Sequence, residues 1–229
     1  MPHLLLLHGA LGARDQLAPL LPLLGDGVRP HSIDFEGHGA AAGRGRPFRI
    51  EQFAENVAEY VERAAIGGPV PIFGYSMGGY VALHLAATRP ELVERVMTLG
   101  TKFQWTAESA ARETGMLDPA RIQAKVPQFA RALAERHTAS GWEDVLRRTA
   151  EMMRALGERP TLGAEELARV RQRVRIAVGD RDGMVSIDES AGAYRALPNA
   201  ELEVLPGTPH PLEKISWARL ARSVGEFFE

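Results

Sequence analysis

A chain of 229 residues, 45% apolar and 24% charged, is long enough to bury the core of one large α/β domain. Its formal net charge of −2 gives no electrostatic argument for nucleic acid or an anionic membrane as partner. It contains no cysteine, which excludes disulfides, thiolate metal sites and a cysteine nucleophile.

Residues 3–8 (His-Leu-Leu-Leu-Leu-His) read as a buried first strand. This apolar run is too short and lacks the basic flank of a signal peptide or membrane span, so a cytoplasmic protein is expected. Residues 15–24 carry Leu17, Leu20, Leu21 and Leu24 at helical spacing, interrupted by Pro19 and Pro22. Residues 29–34 read as a second strand, followed by a Gly- and Ala-rich loop over 35–46. An amphipathic helix is expected over 50–65, with Phe53, Val57, Tyr60, Val61 and Ala64 on one side. Residues 69–73 form a third strand, and 80–87 a helix that Pro90 stops. Strands follow over 93–100 and 174–179, then a helix over 189–197, a strand over 200–205 and a last helix over 215–228. Strand–helix alternation of this kind demands a mostly parallel sheet with helices on both faces, and a site at the carboxyl ends of the strands. Between 102 and 173 the alternation stops. Helices are expected there over 108–114, 119–135, 142–156 and 164–171. That segment is too small for an independent domain and reads as a helical cap at about 102–173 on a single domain spanning 1–229.

The strand ends carry the chemistry. Gly74-Tyr75-Ser76-Met77-Gly78-Gly79 joins the third strand to its helix. A Gly-x-Ser-x-Gly turn in that setting forces the serine into a strained, exposed position near the positive end of the helix. A serine hydroxyl is a poor nucleophile unless a base takes its proton, and the imidazole that does so must be held in one tautomer by a carboxylate. Two carboxylates, Asp180 and Asp182, stand after the fifth strand, and His210 after the sixth. Serine, acid, histidine is the chain order expected on this architecture. The other histidines lie within elements (His3, His31, His84), in the cap (His137), or in loops that their hydrogen bonds would shape (His8, His38).

These residues resemble the α/β-hydrolase superfamily over nearly the whole chain. The likeness is to its small capped members: carboxylesterases, carbon–carbon bond hydrolases and the lyase of menaquinone biosynthesis. His8-Gly9-Ala10 matches the family's oxyanion loop, Asp34-x-x-Gly37-His38-Gly39 the loop after the next strand, and Gly179-x-x-Asp182 the acid turn. The resemblance implies Ser76 as nucleophile, His210 as general base and acid, and Asp182 as its orienting partner, with Asp180 a turn-former. It implies Ala10 and Met77 as backbone oxyanion donors, with Leu11 the alternative to Ala10. The family usually opens with two further strands. This chain begins on the third, so about six parallel strands are expected in the order 2-1-3-4-5-6, with no antiparallel edge. Leu11, Phe103, Trp105 and Trp142 are the candidate substrate-pocket residues, whereas Trp217 is read as core or surface.

The reaction expected is hydrolysis of carboxylic esters of small, largely apolar molecules. The same triad would also serve a carbon–carbon bond hydrolase or lyase, but the polar anchors those need, Arg14, Lys102 or Arg181, are not distinctive. A haloalkane- or epoxide-type hydrolase would need aspartate at position 76. A non-catalytic binding member would be marked by loss of a triad residue. No metal-ligand cluster or Gly-rich dinucleotide fingerprint is evident, so no cofactor is expected. The expected partner is a small-molecule ester, with no nucleic acid or membrane, in a monomer or homodimer.

Overall fold

The structure, a computed structural model, describes residues 1–64 and 66–229. Six strands make one parallel sheet: β1 (His3–Leu7), β2 (Arg29–Ser32), β3 (Val70–Tyr75), β4 (Val93–Leu99), β5 (Arg173–Gly179) and β6 (Ala200–Leu205). Their spatial order is β2-β1-β3-β4-β5-β6, and every pairing is parallel. This is the order expected from the sequence, with β2 at one edge.

Side-chain alternation along the strands divides the core in two. Leu5 and Leu7 of β1 and Ile72 of β3 face α1 (Ile50–Arg63) and α2 (Met77–Thr88), where Phe53, Val57, Val81 and Leu85 are buried. Leu4 and Leu6 of β1, with Phe73 and Met97, face the opposite layer. That layer is the last helix, Trp217–Phe228, and the segment Arg14–Leu23. The latter is a 3₁₀ helix, not an α-helix, because Pro19 and Pro22 each lack the N–H that an α-helical ladder needs. Pro71 similarly interrupts the β3–β4 ladder, whose register shifts between Val70 and Ile72. The expected end of the helix at Ala65 lies outside the described residues.

The chain between β4 and β5 is helical: α3 (Ala107–Thr114), α4 (Pro119–Lys125), α5 (Pro127–Arg136), α6 (Trp142–Glu158) and α7 (Ala164–Arg169). The single helix expected over 119–135 is broken in two. Val126 leaves helical geometry (φ −139°, ψ 61°) just before Pro127, as the residue preceding a proline is pressed to do. Beyond β5 come α8 (Ile187–Ala196) and, after β6, α9 (Trp217–Phe228).

Candidate active site

The turn from β3 into α2 is built by what cannot fit there. A Cβ on Gly74 would lie 2.5 Å from the Gly78 carbonyl, and one on Gly78 would lie 2.4 Å from Leu7 O. Only glycine lets the strand, the helix and β1 approach so closely. Between them Ser76 is held at φ 50°, ψ −117°, a conformation that costs an L-residue about 1–3 kcal/mol. Its surroundings hold it there. Ser76 N donates to Leu99 O (2.8 Å), and Ser76 O accepts from Thr101 Oγ1 (2.9 Å) and from the N–H groups of Gly79 and Tyr80 (3.0 and 3.3 Å). The side chain, at the N-terminus of α2, is half-buried.

Asp182 and His210 meet beyond the ends of β5 and β6. Asp182 Oδ2 lies 2.7 Å from His210 Nδ1, while its Oδ1 accepts from the N–H groups of Met184 (2.8 Å) and Val185 (2.9 Å). A carboxylate can only accept, so Nδ1 carries a proton, and in the neutral ring Nε2 has the free lone pair. The Asp182 side chain is 2% exposed and that of His210 10%, so the pair is shielded from water. Asp180 faces elsewhere: its Oδ1 accepts from Thr208 N (3.1 Å) and ties the end of β5 to the loop carrying His210. The pair sits against the serine turn. A Cβ on Gly100, which follows β4, would lie 3.1 Å from Asp182 Oδ2 and 3.2 Å from His210 Nδ1. The hydroxyl of Tyr75, the residue before the serine, donates to His210 O (2.9 Å). Among the described residues no hydrogen bond joins Ser76 Oγ to the imidazole, and such bonds commonly tighten only when substrate is present.

The N–H of Met77 opens α2 and has no acceptor within the helix. Ala10 lies across from it in the loop after β1, where Gln16 Oε1 accepts from Gly9 N (2.9 Å) and Gly12 N donates to Gly9 O (3.1 Å). Ala10, Ser76 and Met77 line one small cavity of about 40 Å³, otherwise walled largely by Ile50, Tyr80, Trp105 and the methionines and leucine of α6. Of the four pocket candidates, Trp105 lines this cavity and the other three do not. Phe103 is buried in the core with its ring 6.4 Å from that of Tyr80. Trp142 packs on Ile122, Ala130, Leu133 and Leu146 within the insertion, and Leu11 packs between that cluster and the main core. Trp217 packs against the opposite face of the sheet.

Three histidines line the back of the loop after β1. Phe35 N donates to His8 Nε2 (3.2 Å), so His8 Nδ1 carries the proton toward Gly9 O (2.8 Å). His38 stands 5.2 Å from the His8 ring and 5.7 Å from that of His137, centroid to centroid. Burial pushes the His8 pKa down to about 4 and the His38 and His137 values below the ordinary one, so all three are neutral at pH 7. Tyr75, Thr101 and Glu189 escape the sequence reading, which places His137 in the cap without a role. Glu189 Oε1 accepts from the N–H groups of Phe103 (2.9 Å) and Gln104 (3.2 Å), anchoring the start of the insertion to α8. None of these positions carries a local signal, since each acts on chain far away in sequence. Among the described residues no group of three His, Asp or Glu side chains is arranged to hold a metal ion.

A serine turn, an Asp–His pair at later strand ends and this sheet order define a protein class that comparison with known proteins also finds. Residues 2–167 match the family model described as alpha/beta hydrolase fold, and the chain belongs to that family. It is 36% identical over 115 residues to the pimeloyl-[acyl-carrier protein] methyl ester esterase of Neisseria meningitidis serogroup C, covering 50% of this chain and 42% of that protein. It is 28% identical over 110 residues to the (E)-2-((N-methylformamido)methylene)succinate hydrolase of Acinetobacter baylyi, covering 48% and 41%. The chain thus spans less than half the length of these curated relatives. Among solved structures, a thermophilic esterase from Thermogutta terrifontis superposes with a TM-score of 0.80 at 19% identity, covering 100% of this chain and 89% of that one, which is a likeness of fold. Among the described residues no helix is long and apolar enough to cross a membrane.

Proposed function

We propose that this chain is a serine hydrolase of carboxylic esters of small, largely apolar substrates. The observation that carries this reading is the buried His210–Asp182 pair packed against the strained Ser76 turn. In the proposed reaction Ser76 Oγ attacks the ester carbonyl as His210 Nε2 takes its proton, with Asp182 stabilising the imidazolium. The N–H groups of Met77 and Ala10 receive the charge that develops on the carbonyl oxygen. The intermediate collapses to an acyl-enzyme and His210 gives its proton to the leaving alkoxide. Water then repeats the sequence, releasing the acid and free Ser76.

The apolar cavity beside Ser76 supports an apolar acyl or alcohol part, and the ester named in the Neisseria relative supports ester chemistry. Carbon–carbon bond hydrolysis through the same three residues would need fixed charges for a polar substrate. Lys102 is the charged residue on the cavity wall, and it is already engaged with Glu113 (3.6 Å) and with Met184 O (3.2 Å).

A serine-directed phosphonate should label Ser76 in peptide mass spectra, and Ser76→Ala should lower kcat on a short-chain p-nitrophenyl ester by about 10⁴–10⁶. Full turnover by that variant would end the hydrolase reading.

A further inference from the structure

We propose that His137, in the helical insertion, is a positioning residue for ester hydrolysis, locking the loop that presents the Ala10 N–H to the reacting carbonyl. The inference rests on the function proposed above. His137 follows α5 directly and is 1% exposed. Its ring bridges two loops that belong to the sheet. A backbone N–H can only donate, so the 3.0 Å bond from Gly39 N makes His137 Nδ1 an acceptor and puts the ring proton on Nε2. Nε2–H then donates to Leu11 O at 3.0 Å. Arg136 Nη1 donates to the same carbonyl at 3.1 Å.

Leu11 is the residue that needs such holding. With φ +59° it is, beside Ser76, the other non-glycine residue at positive φ among the described residues. A leucine in that conformation is strained, and it persists only where its surroundings over-determine it. Here the insertion supplies two hydrogen bonds on the Leu11 carbonyl and part of the packing of its side chain, which lies between the apolar cluster of α4, α5 and α6 and the main core. Within its own loop, the bonds Gly9 N to Gln16 and Gly12 N to Gly9 O fix the residues on either side of Ala10 and Leu11. An oxyanion donor is effective only when it is aimed before the charge develops. The insertion therefore sets the aim of one donor as well as roofing the cavity.

His137 faces His38 from the loop packed on it and Arg136 from its own segment, with His8, Asp34 and Asp15 at longer range. A proton added at Nδ1 would set a donor against Gly39 N–H and release the bridge.

The test compares His137→Gln, whose amide can both donate and accept, with His137→Leu, which can do neither. Thermal unfolding and full ester kinetics are measured on each, with Ser76→Ala alongside. Loss of aim at one donor should lower kcat by about 10- to 100-fold and leave KM within about threefold, because the donor acts on the transition state and not on the bound ester. His137→Gln should recover most of that loss. Arg136→Met removes the second donor to Leu11 O from a half-buried side chain, and it decides the matter if His137→Leu does not fold. It should lower kcat with KM and Tm nearly unchanged. Unchanged kcat in folded His137→Leu, or in Arg136→Met where His137→Leu does not fold, would overturn the proposal. So would equal loss in His137→Gln and His137→Leu. If Ser76→Ala itself kept full activity, the hydrolase reading would fall instead, and the two failures are told apart.

Discussion

Acidification from pH 7 to pH 5 should weaken the fold through its buried histidines, and His8 allows the size to be worked out. Burial pushes its folded pKa down to about 4, whereas an unfolded chain leaves it near 6.5. A group with a depressed folded value contributes stability that is intact above the unfolded pKa. For a histidine this is lost as pH falls, because the unfolded chain takes up a proton that the folded one refuses. The window therefore runs from 6.5 down to about 4. The complete loss is worth roughly 3 kcal/mol, of which about 2 kcal/mol is gone by pH 5. His38, His137 and His84 are depressed in the same direction and add to it. Glu36, held low by Arg46 and Asn56 against the opposing effect of burial, loses its contribution only below its unfolded value of 4.5, below the interval from pH 7 to pH 5. Against a total stability of about 5–15 kcal/mol the decline is large. Urea unfolding at pH 7, 6 and 5 should follow it, with Tm falling by at least about 4–8 °C. His8→Gln removes the titrating group and should flatten the profile by about 1 kcal/mol per pH unit between pH 5 and 6. Stability that stays level from pH 7 to pH 5, or an unaltered slope in His8→Gln, would refute the reasoning.

Three further outcomes follow from the site. Asp182→Asn should cost about 10⁴ in kcat by favouring the wrong tautomer of His210, while Asp180→Asn should lose only the bond to Thr208 N; kinetics on both variants checks the assignment, and the reverse pattern would cancel it. Gly78→Ala should destabilise the protein by about 1–3 kcal/mol and cut activity, because its Cβ meets Leu7 O at 2.4 Å, and a Tm within a degree of the parent would contradict the close approach of β1 and α2. Each added methylene of an acyl chain buried in the cavity should tighten binding about fourfold until the space is full, giving an optimum at short to medium length. Trp105→Ala should move that optimum to longer chains, as read from kcat/KM across p-nitrophenyl esters, whereas Phe103→Ala should lower Tm without moving it.

Much of the molecule was legible in the chain itself because its signals are local. The six strands are short apolar runs bounded by turn residues, and their alternation with helices calls for a parallel sheet with right-handed crossovers, while the order β2-β1-β3-β4-β5-β6 is the one expected from the resemblance to the α/β-hydrolase family. Gly74 and Gly78 around Ser76 announce a close backbone approach, since the need for a missing Cβ is written at the residue that lacks it. Ser76, Asp182 and His210 could be picked out as candidates because each lies in the turn or loop just beyond a strand's carboxyl end, and those ends share one edge of a parallel sheet. What only the tertiary structure decided lies where distant segments meet without a periodic signal. Phe103 and Trp105 are two residues apart, yet one enters the core and the other the cavity, according to how the insertion turns after β4. The break at Val126–Pro127 aims α5 so that Arg136 and His137 reach Leu11, 125 and 126 residues earlier in the chain. Tyr75 reaches His210 across 135 residues. Sequence pattern reports the face a residue presents within its own element; which foreign backbone waits there is settled by packing, and so the reach of these side chains emerges only in the folded protein.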